Sequence, residues 1–188
     1  MKARVHRELR VLHARCFVES SCKKDQVMND IMALAARAGQ ALQEKGLMLA
    51  TAESCTGGGV AQAVTDIAGS SAWFERGFVT YSNTAKNEML GVPATLIEQH
   101  GAVSEEVAAA MASGALDNSH AQIALSTTGI AGPGGAVPGK PVGTVCFGWA
   151  HDGKTCTERH VFPGDRQSVR EQTVRHALEG LLRMLEQT

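Results

Sequence analysis

The chain has 188 residues, 44% of them apolar and 20% charged, with a formal net charge of −1; this suits one globular domain with a sizeable core. The near-neutral balance speaks against a nucleic-acid or membrane surface as its main business, and no apolar run approaches the roughly 18 residues of a membrane-spanning helix. With no secretory leader pattern either, the sequence predicts a cytoplasmic protein.

The opening segment stands apart. Residues 1–27 carry seven Lys/Arg against three Asp/Glu, whereas residues 28–188 carry eleven against sixteen. The first 27 residues therefore read as a basic, flexible extension, and residues 28–188 as the folded domain.

From Asn29 the pattern is helical: Ile31, Leu34, Ala35, Ala38, Ala41 and Leu42 recur at steps of three and four, and Gly46 closes the run. A strand is expected at about 47–53, followed by Thr51-Ala-Glu-Ser-Cys-Thr-Gly-Gly-Gly59 and a helix at about 57–68. Three successive glycines permit positive φ and close backbone approach, and the helix start offers unpaired N–H groups at the same place. Residues 77–82 alternate like a strand, Asn83 is suited to cap a short helix carrying Lys86, and Gly91 ends it. Pro93 opens another short helix and Ser104 a longer, alanine-rich one.

A strand at 122–127 then enters a second glycine-rich loop, residues 128–141. Strands at 142–150 and 155–162 flank His151-Asp-Gly-Lys154, a hairpin turn signal, and the last helix begins near Asp165. Strands alternating with helices, then a hairpin and a closing helix, predict an α/β fold: a three-layer α/β/α sandwich around a mostly parallel mixed sheet.

Ser54, the stretch from Tyr81 to Lys86, and Thr128-Gly129 all fall just past the C-terminal ends of strands, where open α/β sheets bind ligands. Neither glycine loop matches a P-loop or a dinucleotide fingerprint, so NTPase and NAD chemistry are not indicated. A serine at a tight turn with a lysine and a tyrosine nearby suggests a Ser/Lys nucleophile system, provided the lysine is desolvated enough to be neutral. Taken singly, Lys86 also fits a solvated helix position and Tyr81 a half-buried strand aromatic; Glu53, Cys55 and Lys86 carry the residue types of a cysteine-based amidase as well. Five scattered cysteines without a C-x-x-C pair, and seven histidines without paired spacing, suggest neither disulfides nor a metal site.

Ala52-Glu-Ser-Cys-Thr-Gly-Gly58, Gly77-Phe-Val-Thr-Tyr-Ser-Asn83, Ala85-Lys86, His100-Gly-Ala-Val-Ser-Glu105, Thr128-Gly-Ile-Ala-Gly-Pro133, Lys140-Pro-Val-Gly-Thr-Val145 and Phe162-Pro-Gly-Asp-Arg166 occur in that order. On these motifs the chain resembles the CinA C-terminal domain family, which includes stand-alone nicotinamide mononucleotide deamidases. The resemblance implies hydrolysis of the carboxamide of nicotinamide mononucleotide without cofactor or metal, in pyridine nucleotide salvage. It implies Ser54 as nucleophile, with Lys86 and Tyr81 as its activating partners. Glu53, Cys55, Thr56, Gly57, Gly58, Thr128, Gly129, Gly132 and Arg166 are the implied substrate-binding set. In that set the turn N–H groups face the oxyanion, and the second glycine loop and Arg166 face the phosphate. A homo-oligomer, dimer or higher, is implied as partner. The alternative that the resemblance leaves open is a non-catalytic nucleotide-sensing or partner-binding module linked to competence or DNA damage.

Overall fold

The computed structural model describes residues 26–188. The basic segment therefore lies outside the described residues up to position 25. Helix α1 (26–45) already includes Gln26 and Val27, and Val27 packs against the core, so the expected start of the domain at residue 28 cuts into its first helix.

The chain continues through β1 (Leu49–Glu53), α2 (Gly59–Thr65), a short 3-10 turn (Ser70–Ala72), β2 (Phe74–Val79), α3 (Asn83–Leu90), α4 (Ala94–His100) and α5 (Glu105–Asp117). It ends with β3 (Ile123–Gly129), β4 (Thr144–His151), β5 (Lys154–Val161) and α6 (Arg166–Glu186). The five strands form one sheet in the order β2-β1-β3-β4-β5. β1 pairs in parallel with both β2 and β3, and β4 and β5 run antiparallel, which is the expected three-layer α/β fold with a mixed sheet. The β4–β5 hairpin turns at Asp152 and Gly153, both at positive φ, as the Asp-Gly pair predicts.

Alternation along the strands sorts the core into two halves. Leu49, Ile123, Leu125, Phe147 and Trp149 face α1, α2 and α6, while Ala50, Ala52 and Ala124 face α3, α4 and α5. Small residues on the second face let α5 sit close: Ser126 Oγ donates to the carbonyl of Ala108 at 2.6 Å. On the first face two tryptophans are each seated against a helix glycine. A Cβ at Gly39 would lie 2.3 Å from Trp73, and one at Gly180 would lie 2.1 Å from Trp149, so any side chain there displaces an indole. Trp149 Nε1 also donates to the carbonyl of Ala177 at 3.0 Å, which fixes α6 over β4.

Most element boundaries lie within a few residues of the sequence reading, and two of the differences are instructive. β2 runs over Phe74–Val79, not 77–82: it pairs with β1 from Leu49↔Phe74 onward, and the polar pair Glu75–Arg76 at the sheet edge hides its start from the alternation pattern. Ser82, not Asn83, caps α3, its hydroxyl accepting from the N–H of Ala85 at 3.0 Å.

Candidate active site

β1, the central parallel strand, delivers the glycine-rich turn to the C-terminal edge of the sheet. Ser54 N–H donates to the carbonyl of Thr127 at 2.9 Å, extending the β1–β3 pairing one residue beyond the strand. The chain then reverses: Gly57 N–H donates back to the Ser54 carbonyl at 3.1 Å, and Gly57 and Gly58 take φ of 60° and 92°. Side chains at these two positions are strained, and this is what the glycines are for.

The anion site expected at the start of α2 is filled from within. Glu53, fully buried, accepts from Val60 N–H at 3.0 Å through Oε2 and from Ala61 N–H at 2.8 Å through Oε1. Its carboxylate meets the orphan donors and positive end of the short helix. Thr56 is also occupied, its hydroxyl 2.8 Å from that of Thr127 and its carbonyl accepting from Arg170 Nη2 at 2.6 Å. Glu53, Thr56, Gly57 and Gly58, all assigned to substrate binding from the sequence, thus lie behind the serine and outside the lining of the cavity it faces. Among the described residues no backbone carbonyl accepts from the N–H of Cys55 or Thr56.

Lys86, one turn into α3, points inward and is 1% exposed. Its Nζ donates to the carbonyl of Thr80 at 2.9 Å and lies 3.0 Å from Ser54 Oγ. Burial pushes the ammonium below the ordinary lysine range, since the charged form has lost its water. One N–H is held by Thr80, which leaves a neutral amine its lone pair for the serine hydroxyl. The isolated helix pattern around Lys86 reads as polar surface; only the bonds of its Nζ to Ser54 and Thr80, just past the ends of β1 and β2, show otherwise.

Ser54 and Lys86 open into a cavity of ≈ 220 Å³ that Cys55, Tyr81, Asn83, Thr128, Gly129 and Arg166 also line. Ala102, Val103 and Ala131 complete the wall, and none of these three stands out in the sequence as a site residue; Asn83 lies within the expected Tyr81–Lys86 stretch but carries no individual role there. A larger cavity of ≈ 460 Å³ lies behind the turn, between α1, α2 and α6; it touches Thr56 and Arg166 but neither Ser54 nor Lys86.

Tyr81 stands at the mouth, 60% exposed, and its phenolic oxygen accepts from Arg166 Nη2 at 2.7 Å. Arg166 Nη1 donates to the carbonyl of Gly132 at 2.9 Å, so the first residue of α6 joins the Tyr81 segment to the second glycine loop within one chain. Among the described residues Tyr81 has no hydrogen bond to Ser54 or Lys86, which puts it at the rim with Arg166. Thr128 Oγ1 donates to the carbonyl of Ala102 at 2.7 Å and thereby fixes the segment before α5 over the pocket.

Cys55 packs against Gly129, where an added Cβ would come 3.1 Å from its sulfur. Burial pushes the Cys55 thiol up to about 12. Burial disfavours the thiolate that a cysteine nucleophile would use, and among the described residues Lys86 Nζ donates to Ser54 and Thr80, not to Cys55. The serine at 3.0 Å from a desolvated amine is the more capable group.

Similarity to known proteins identifies the family. The profile of the CinA C-terminal domain matches residues 31–185. The nicotinamide-nucleotide amidohydrolase PncC of Pseudomonas putida is 52% identical over 157 residues, covering 84% of this chain and 98% of that one. The protein of the same name from Escherichia coli K12 is 54% identical over 154 residues, covering 81% and 93%. The crystal structure of the competence/damage inducible protein CihA from Agrobacterium tumefaciens superposes with a TM-score of 0.81 at 47% identity, over 84% of this chain and 96% of that one. With matching motifs, fold and most of its length, the chain belongs to the CinA C-terminal domain family.

Proposed function

We propose that this protein hydrolyses the carboxamide of nicotinamide mononucleotide, giving nicotinic acid mononucleotide and ammonia, with Ser54 as nucleophile and Lys86 as its base. The observation that carries the reading is the 3.0 Å separation of Ser54 Oγ from the buried Lys86 Nζ. The relatives named for this activity, aligned over nearly their whole length, supply the substrate.

In this reading Ser54 Oγ attacks the carboxamide carbon while its proton passes to Lys86. The oxyanion is taken up by the N–H of Cys55, the residue of the turn that lines the cavity beside Ser54. When the C–N bond breaks, Lys86 returns the proton to the departing nitrogen and ammonia leaves. Water then attacks the acyl-serine with Lys86 again taking the proton, and Ser54 is restored as the acid is released. The cavity of ≈ 220 Å³ suits the pyridine carboxamide alone, so the ribose phosphate extends past Thr128 and Gly129 toward Gly132, where Arg166 supplies positive charge. Tyr81 orients Arg166 through its hydroxyl.

The place of the reaction is pyridine nucleotide salvage in the cytoplasm; among the described residues no helix is long and apolar enough to cross a membrane. We also propose a homo-oligomer, with the exposed Val79 of β2 and Met89 of α3 as candidate contacts; sedimentation as a monomer at micromolar concentration would remove that part. The test of the activity is ammonia release by the purified protein from nicotinamide mononucleotide compared with free nicotinamide. Release from the nucleotide supports the reading, and none from either contradicts it.

A further inference from the structure

Away from the Ser54 cavity, β5 and α6 bring together three side chains whose sequence spacing gave no sign of a common site. Glu158 and His160 are two residues apart on β5 and share the face that α6 covers, and His176 meets them from α6. His176 Nε2 lies 2.6 Å and His160 Nε2 3.1 Å from the same oxygen, Glu158 Oε2. One ligand-type atom from each residue lies within 4.8 Å of the others. Both rings are held: the two imidazole centroids are 4.1 Å apart, His176 is 4.7 Å from the ring of Phe147, and His160 stacks on Phe162 at 5.7 Å. Rings fixed in this way lose little further freedom on taking up a ligand.

We propose that Glu158, His160 and His176 bind one transition-metal dication of the zinc class, which ties edge strand β5 to α6, with water completing its coordination. Two imidazole nitrogens and one carboxylate oxygen are a donor set that zinc accepts with bonds of about 2.0–2.2 Å. Tetrahedral coordination at such lengths sets donors roughly 3.3–3.5 Å apart. The observed separations of 2.6 and 3.1 Å need to open by less than an ångström, within the reach of small side-chain rotations. Glu158 and His160 keep 37% and 42% of their side-chain surface exposed, so the ion and its waters can enter. His176 Nδ1 lies 3.8 Å from Glu179 Oε2, longer than a hydrogen bond but close enough for a small rotation to give the carboxylate partner that metal-bound histidines commonly have.

Arg183 Nη2 donates to Glu158 Oε1 at 2.8 Å, leaving Oε2 toward the histidines. Its charge opposes any cation, so only ions that gain strongly from imidazole bonding are expected there. Mg²⁺ and Ca²⁺, which need several oxygen ligands, are not. The same contacts also describe an ion-free cluster of hydrogen bonds, and the two differ in what added metal does.

The full chain, stripped with EDTA and dialysed, is titrated with ZnCl₂ and separately with MgCl₂, read by calorimetry and by thermal melting. The expected result is one Zn²⁺ per chain and a saturable rise in Tm; zinc at 100 times its Kd shifts the unfolding constant about 100-fold, and Mg²⁺ leaves it unchanged. His160→Gln, at a half-exposed position that leaves the core intact, abolishes the zinc effect, and folded His176→Gln does the same. No saturable zinc binding by the wild type overturns the proposal. So does undiminished binding by His160→Gln, which would assign the ion to other groups such as the exposed Cys156.

Discussion

Glu53 caps the helix that follows its own strand: its carboxylate accepts from Val60 N–H at 3.0 Å, seven residues downstream, and is fully buried. The residue beside it is Ser54, so the cap and the serine share one stretch of backbone. Glu53→Gln replaces one acceptor oxygen by a donor that faces N–H groups. The expected cost is about 1–3 kcal/mol, read as a lower Tm, because a buried donor is left unpaired. kcat for deamidation should fall with KM nearly unchanged, as the turn loosens around the serine. Wild-type stability in Glu53→Gln would show that the cap contributes nothing.

The neighbouring Cys55 offers a sharp comparison. With its thiol pushed up to about 12 by burial, Cys55→Ala is expected to keep most of the activity, whereas Ser54→Ala should lose at least about 10³-fold in kcat. Steady-state ammonia release decides between them, and the opposite ranking transfers the reaction to the cysteine.

Arg166 reaches both Tyr81 and Gly132 at the mouth of the pocket. Its charge is placed for the phosphate, so Arg166→Ala should raise KM for nicotinamide mononucleotide about tenfold or more while changing turnover of the phosphate-free riboside much less. Equal losses on both substrates would assign Arg166 to holding the loop. Tyr81→Phe, which removes the acceptor for Arg166 Nη2, should give a smaller rise in the same KM.

Among the described residues no carboxylate or imidazole lines the Ser54 cavity, whose polar side chains are hydroxyl, thiol, amide, amine and guanidinium groups. These are poor ligands for a hard or borderline dication when no carboxylate or imidazole accompanies them. Deamidation by EDTA-treated protein in metal-free buffer should match the untreated rate. Loss of activity that one specific metal restores in His160→Gln as well as in the wild type would contradict the serine–lysine reading.

Much of this arrangement is legible in the sequence because it is local. Gly57 and Gly58 announce the tight turn, Asp152-Gly153 the hairpin, and the helical spacing from Ile31 to Leu42 the face of α1. What is not legible depends on partners far along the chain. Lys86 looks solvated until its Nζ meets Ser54 and Thr80. Glu53 looks like a ligand-binding acid until α2 starts over it. Arg170, whose guanidinium holds the Thr56 carbonyl 114 residues away, gives no local signal at all. The Glu158, His160 and His176 cluster is hidden for the same reason, since a strand step of two is completed by a helix residue eighteen positions after the glutamate.

The account rests on Lys86 being a neutral amine that takes the serine proton. Burial lowers its pKa in the folded chain, whereas the unfolded lysine keeps a value of about 10.4. Between these two values the unfolded chain binds more protons, so the contribution of Lys86 to stability is full above the unfolded value and declines as pH falls toward the folded one. The same deprotonation governs activity. The most direct measurement is the pH dependence of kcat/KM for nicotinamide mononucleotide in the wild type and in Lys86→Arg. The wild type should rise through one ionisation clearly below the free-lysine value and then level off, while Lys86→Arg, charged at every accessible pH, should be nearly inactive throughout. A flat wild-type profile, or substantial activity in Lys86→Arg, would mean that the side chain serves as a fixed cation and that another group accepts the serine proton.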